Sequence, residues 1–73
     1  MRIVWLGAGR CLDVDIGGLL KLAGPGGSLY LVDIDMAAMR TGLELQVMEG
    51  ILDRASAMRV HMVQADLTGG YRR

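Results

Sequence analysis

The chain has no phenylalanine, one tryptophan and two tyrosines among its 73 residues. Aromatic rings carry the largest burial per side chain, so a core here has to be assembled from aliphatic residues and methionine. A single cysteine, Cys11, excludes an internal disulfide and makes a reducing, cytoplasmic setting the natural expectation. Eight basic residues against eight acidic ones leave a formal charge of zero. No electrostatic footprint for nucleic acid or an anionic membrane results, and the closing Arg72-Arg73 is too small to make one. The first apolar run, Ile3 to Leu6, is only four residues long. It is too short for a membrane span or the apolar region of a signal peptide, so no export signal is expected.

What is there is apolar and glycine-rich: 52% hydrophobic residues, 11 glycines and 6 methionines. That composition suits a buried α/β sheet with helices packed on it. Seventy-three residues fall below the common domain size of about 100–150. A chain of this length buries only about 60% of its unfolded surface. The excess of apolar residues therefore reads as a piece of a larger fold, a truncated domain, or a protomer that hides surface in a homo-oligomer.

Periodicity orders the elements. Ile3-Val-Trp-Leu6 reads as a fully buried strand, continuous rather than alternating. Leu12, Ile16, Leu19, Leu20 and Ala23 form one helical stripe, which predicts a helix from about Cys11 to Ala23. The stretch Ala23-Gly-Pro-Gly-Gly27 ends it. Ser28 to Ile34 is a second strand. Met36, Met39, Leu43, Val47 and Ile51, extended by Leu52 and Ala55, predict a long helix over about 36–55, capped by Asp35. Gly42 and Gly50 weaken such a helix by roughly 1 kcal/mol each relative to alanine, which close packing would explain. Arg59 to Gln64 is the third strand, and the last seven residues read as loop. The methionines fall on the helical stripes and are expected in the core. The order β-α-β-α-β predicts parallel strands with right-handed crossovers. It is the Rossmann-like first half of a doubly wound α/β sheet, with residues 1–73 forming the N-terminal part of a dinucleotide-binding domain.

The chemistry is concentrated at the first turn. Gly7 and Gly9 follow the first strand directly, where glycine permits a tight turn and leaves room for a pyrophosphate. The following helix N-terminus would offer amides and a partial positive charge to phosphates. Asp33 closes the second strand, where a carboxylate accepts hydrogen bonds from ribose hydroxyls and favours NAD over NADP. Arg10 offsets the negative charge of Asp13 and Asp15, which stand in the expected first helical turn and weaken diphosphate binding. Leu12 occupies the position of the third glycine in Gly-x-Gly-x-x-Gly. Asp35 reads as a cap before a ribose ligand, and Asp66 as an adenine-pocket or loop acid. Cys11 reads as a small packing residue, since no base accompanies it, and His61 as a surface histidine. No Ser–His–Asp set or metal-ligand spacing is visible, so no catalytic residue and no metal ligand is expected.

The segments Met1–Gly9, Gly18-Leu-Leu20 and Leu29-Tyr-Leu-Val-Asp-Ile-Asp35, followed by a long helix, resemble the N-terminal part of the family 4 glycoside hydrolases. The resemblance implies Gly7, Gly9 and Asp33 as NAD contacts. It also implies cleavage of O-glycosyl bonds in a sugar or sugar-phosphate by a redox-elimination route. The family's divalent metal, typically Mn²⁺, would be held by residues outside this stretch, so the segment alone would be inactive. A second resemblance is to S-adenosylmethionine-dependent methyltransferases, through Gly24-Pro-Gly-Gly27, Val32-Asp-Ile-Asp35 and Val63-Gln-Ala-Asp66. That family has an acid where this chain has Trp5 and a glycine where it has Cys11. Its helix after the acid is also some five residues shorter than the one expected after Asp35. A remnant that binds neither cofactor is the third alternative.

Overall fold

The computed structural model describes residues 1–12 and 14–66. Asp13 and the loop expected over 67–73 lie outside the described residues. Three strands, β1 (Arg2–Leu6), β2 (Ser28–Asp33) and β3 (Val60–Gln64), form one parallel sheet in the order β1-β2-β3. They alternate with α1 (Ile16–Ala23) and α2 (Met36–Met48), and a short α3 (Arg54–Ala57) precedes β3. The expected small α/β architecture with a parallel sheet is present.

Register decides which side chains meet. Ile3 lies beside Leu29 and Trp5 beside Leu31, while Leu29 and Leu31 pair onward with Val60 and Met62. These six share one face, which packs with Ile16 and Leu20 of α1 and Met39 and Leu43 of α2. Leu29, Leu31 and Met39 are fully buried. Complete burial of such a side chain contributes roughly 1.5–3 kcal/mol. Arg59 joins the two ends of this layer: its guanidinium donates to the carbonyls of Gly27 at 3.0 Å and Leu20 at 3.2 Å, and to that of Gly24. It thereby satisfies carbonyls at the C-terminus of α1 from the start of β3.

Four expectations need correction. β1 is not fully buried: Val4 is 59% and Leu6 63% exposed. The helices contacting the sheet cover only the Ile3–Trp5 face; on the opposite face Tyr30 and His61 stack at 4.8 Å and Val32 is buried, but Val4, Leu6 and Val63 are exposed. The first helix begins at Ile16, not Cys11, because Cys11 has φ +63° and Asp15 caps the helix through the Gly18 amide. The long helix stops at Met48. Gly50 turns the chain at φ +75°, and Asp53 starts α3 by accepting from the Ser56 amide at 2.7 Å. The methionines are not uniformly core: Met39 is buried, but Met48 and Met58 are each more than four-fifths exposed.

Candidate functional site

All three strands run the same way, so their carboxyl ends present the β1–α1 loop, the β2–α2 junction and residues 65–66 together. Ligands of open α/β sheets bind at such ends. The β1–α1 loop is tied to β2 from its first residue. The amides of Gly7 and Ala8 donate to the Val32 carbonyl at 2.7 and 3.3 Å. The Gly9 amide donates to Asp33 Oδ2 at 2.9 Å, and the Asp35 amide to Asp33 Oδ1 at 3.0 Å. Gly7 (φ +75°) and Gly9 (φ +53°) are left-handed, a conformation that glycine adopts without steric cost. The predicted pair of glycine turn and strand-ending acid is thus brought into direct contact.

Asp33 is held below the usual carboxylate range. The Asp35 amide is the largest cause, the Gly9 amide the next, with a smaller contribution from the Ile34 amide against partial desolvation. Each Asp33 oxygen keeps further lone pairs, so the carboxylate can hold the loop and still accept from a ligand hydroxyl. Its own strand end is fixed from β3: the Ala65 amide donates to the Asp33 carbonyl at 3.0 Å, and Gln64 Nε2 to the Ile34 carbonyl at 2.9 Å. Between these fixed points Ile34 is 57% exposed, an apolar surface beside the acid. Asp66 is exposed at the end of β3.

Beyond Gly9 the loop differs from a dinucleotide turn. Residues 8–11 form a β-turn closed by the Cys11 amide on the Ala8 carbonyl at 2.9 Å, with exposed Arg10 inside it. Cys11 is the one left-handed non-glycine among the described residues, and it is buried. A left-handed residue with a Cβ costs roughly 1–2 kcal/mol, so neighbours must hold it. Burial first, and the Asp33 charge second, push the Cys11 thiol upward, which makes it a poor nucleophile. Helix α1 starts seven positions after Gly9, and Asp15 already occupies its Gly18 amide at 3.0 Å. The expected cradle of free helix amides at the glycine turn is therefore absent. Asp15 is the cap itself rather than a first-turn acid.

Asp35 caps α2 as expected, accepting from the Ala38 amide at 3.0 Å. A cleft of about 570 Å³ runs between the loop and the first turns of α2, lined by Arg10, Leu12, Asp35, Ala38, Thr41 and Gly42. Of the four predicted cofactor residues only Arg10 lines it; Gly7, Gly9 and Asp33 meet at the strand ends beside it. Among the described residues no three His, Cys, Asp or Glu side chains are grouped to hold a metal ion, and no helix is long and apolar enough to cross a membrane.

Exposed Ile34 beside Asp33, and Gln46 of α2, whose Nε2 donates to the Cys11 carbonyl at 3.3 Å, escaped the sequence reading. Ile34 could have been found from its place next to the strand-ending acid. Gln46 has no motif and is visible only in three dimensions. No protein-family model, no curated protein and no solved structure matches the chain.

Proposed function

We propose that this chain binds the adenosine half of a nucleoside cofactor, with S-adenosylmethionine favoured over NAD, as the cofactor segment of a methyltransferase-like enzyme. The observation that carries the choice is the loop after β1. Positions 7, 9 and 11 are all left-handed, the alternation of a Gly-x-Gly-x-Gly loop, although the third residue is Cys11. A dinucleotide turn instead needs a helix that starts at the glycines to receive the pyrophosphate. Here that helix starts at Ile16 and is capped by Asp15. The end of α2 at Met48 removes the excess helix length that had counted against the methyltransferase resemblance.

In this reading Asp33 accepts from the ribose hydroxyls, Ile34 lies against the adenine and Arg10 faces the cofactor's carboxylate. Gly7 and Gly9 let the backbone come close. The cofactor supplies an electrophilic methyl group when bound, and these residues bind and orient it. The sheet is then the β3-β2-β1 half of a Rossmann-like doubly wound domain, continued beyond the edge of β1, unpaired among the described residues, in a larger, cytoplasmic protein or oligomer. The NAD-dependent, glycosidase-like reading is the second. Trp5 favours it, because NAD has no ammonium group that would want an acid at that position.

Calorimetric titration of the chain with S-adenosylmethionine and, separately, with NAD⁺ tests the choice. Tighter binding of S-adenosylmethionine is expected. Tighter binding of NAD⁺ would restore the glycosidase reading, and binding of neither would leave a remnant fold.

A further inference from the structure

The strained residue of the loop is held from behind by one stripe of α2. Met39, Gly42 and Gln46 are spaced by three and four, so they share a helix face. All three meet Arg10 or Cys11. The Met39 carbonyl receives the Cys11 thiol at 3.8 Å. Gly42 is buried, and a Cβ there would collide with the Arg10 carbonyl and press on the Cys11 side chain. Gln46 Nε2 donates to the Cys11 carbonyl at 3.3 Å. Helix α2 thus approaches the loop backbone at a glycine and grips it one turn later with an amide.

We infer that this stripe is a positioning platform for the cofactor loop, and that Gln46 is its positioning residue. The inference rests on the reading that the loop receives an adenosyl cofactor. A residue with a Cβ leaves the left-handed region unless its surroundings over-determine it. The Gln46 amide and the space at Gly42 supply that determination before any ligand arrives. The turn at 8–11 is then preformed, and the Gly9 amide points at Asp33 without an ordering cost at binding. Leucine at position 46 has similar bulk but no donor. Glutamate would set an acceptor against the Cys11 carbonyl.

The test is amide hydrogen exchange on the full chain, with titration of S-adenosylmethionine in parallel. In Gln46→Leu and Gln46→Glu the Cys11 and Gly9 amides should exchange about fivefold faster, the fold-change that one neutral hydrogen bond carries. The Leu31 amide in β2 should be unaffected, and affinity for S-adenosylmethionine should fall by a similar factor. In a Cys11→Gly background, where the left-handed conformation needs no support, the effect of Gln46→Leu should shrink to less than about twofold. Unchanged Cys11 exchange in both single variants would overturn the platform. So would equal acceleration at Leu31, or an undiminished effect in the Cys11→Gly background. If the parent chain binds no S-adenosylmethionine but the exchange pattern holds, the cofactor reading fails and the platform stands.

Discussion

The β1–α1 and β2–α2 junctions leave the same edge of the sheet and are built on opposite plans. The second takes two residues, Ile34 and Asp35, before Asp35 caps the helix. The first takes nine, from Gly7 to Asp15, and among its described residues Gly7, Gly9 and Cys11 are left-handed before Asp15 caps α1. At each helix N-terminus one amide, that of Gly18 or Ala38, is taken by the chain's own carboxylate. What distinguishes the long junction is its anchorage: Asp33 holds it from β2, and Gly42 with Gln46 holds it from α2. The short junction is tied to its neighbours through its backbone, the Ile34 carbonyl receiving Gln64 Nε2 of β3. The long one is a surface shaped by its neighbours, which is what a ligand loop requires.

The long junction bears on α2 most closely at Gly42. Gly42→Ala gains about 1 kcal/mol of helix propensity, yet it drives a methyl group into the Arg10 backbone. Overpacking costs typically about 1–3 kcal/mol and occasionally more, and a clash with backbone puts this site at the upper end, so a net loss of roughly 2 kcal/mol is expected, read as a lower urea midpoint. An unchanged or raised midpoint would mean that the long loop does not rest on α2.

The two caps come next. Asp35→Ala and Asp15→Ala should each cost about 1 kcal/mol in urea denaturation. Their local consequences should differ. Losing Asp35 frays the helix that supports the loop and speeds exchange of the Cys11 amide, whereas losing Asp15 leaves the Gly9 amide protected by Asp33. Equal effects on both amides would erase the distinction between the junctions.

Acid sharpens the role of Asp33. Its carboxyl titrates below the ordinary carboxylate value of about 3.9. Its contribution to stability is therefore fully present above that value and is lost as pH falls through the folded-state value. Asp53, lowered by the Ser56 hydroxyl and amide, acts in the same window at α3. The difference between the parent chain and Asp33→Asn below about pH 4 isolates the loop's share, and identical acid slopes would remove it. The smallest effect expected is at Cys11. Buried and pushed upward, its thiol should react with iodoacetamide at neutral pH far more slowly than a free thiol, and rapid labelling would mean an open loop.

The order of elements was legible because strands, the Gly-Pro-Gly-Gly break and the Asp35 cap are local signals. The glycine turn and Asp33 were legible as two motifs at a spacing, but the hydrogen bond from the Gly9 amide to the Asp33 carboxylate was not. Boundaries were not. Leu12 continues the stripe of α1 by periodicity, yet it is 81% exposed because the chain turns left-handed at Cys11. Ile51 likewise extends the stripe of α2 past the turn at Gly50. The apolar run of β1 implied two covered faces, whereas only the face of Ile3 and Trp5 is packed among the described residues. Gln46 was out of reach, since only the docking of α2 against the loop gives its amide a partner.

Asp33 closes the loop through the Gly9 amide, and in the proposed function the same carboxylate recognises the ribose. Calorimetric titration of S-adenosylmethionine into the parent chain and into Asp33→Asn tests this in one comparison. The parent should bind, and the variant should bind at least roughly tenfold more weakly, as expected when a charged acceptor of two hydroxyls is lost. Equal affinity for the two proteins would contradict it.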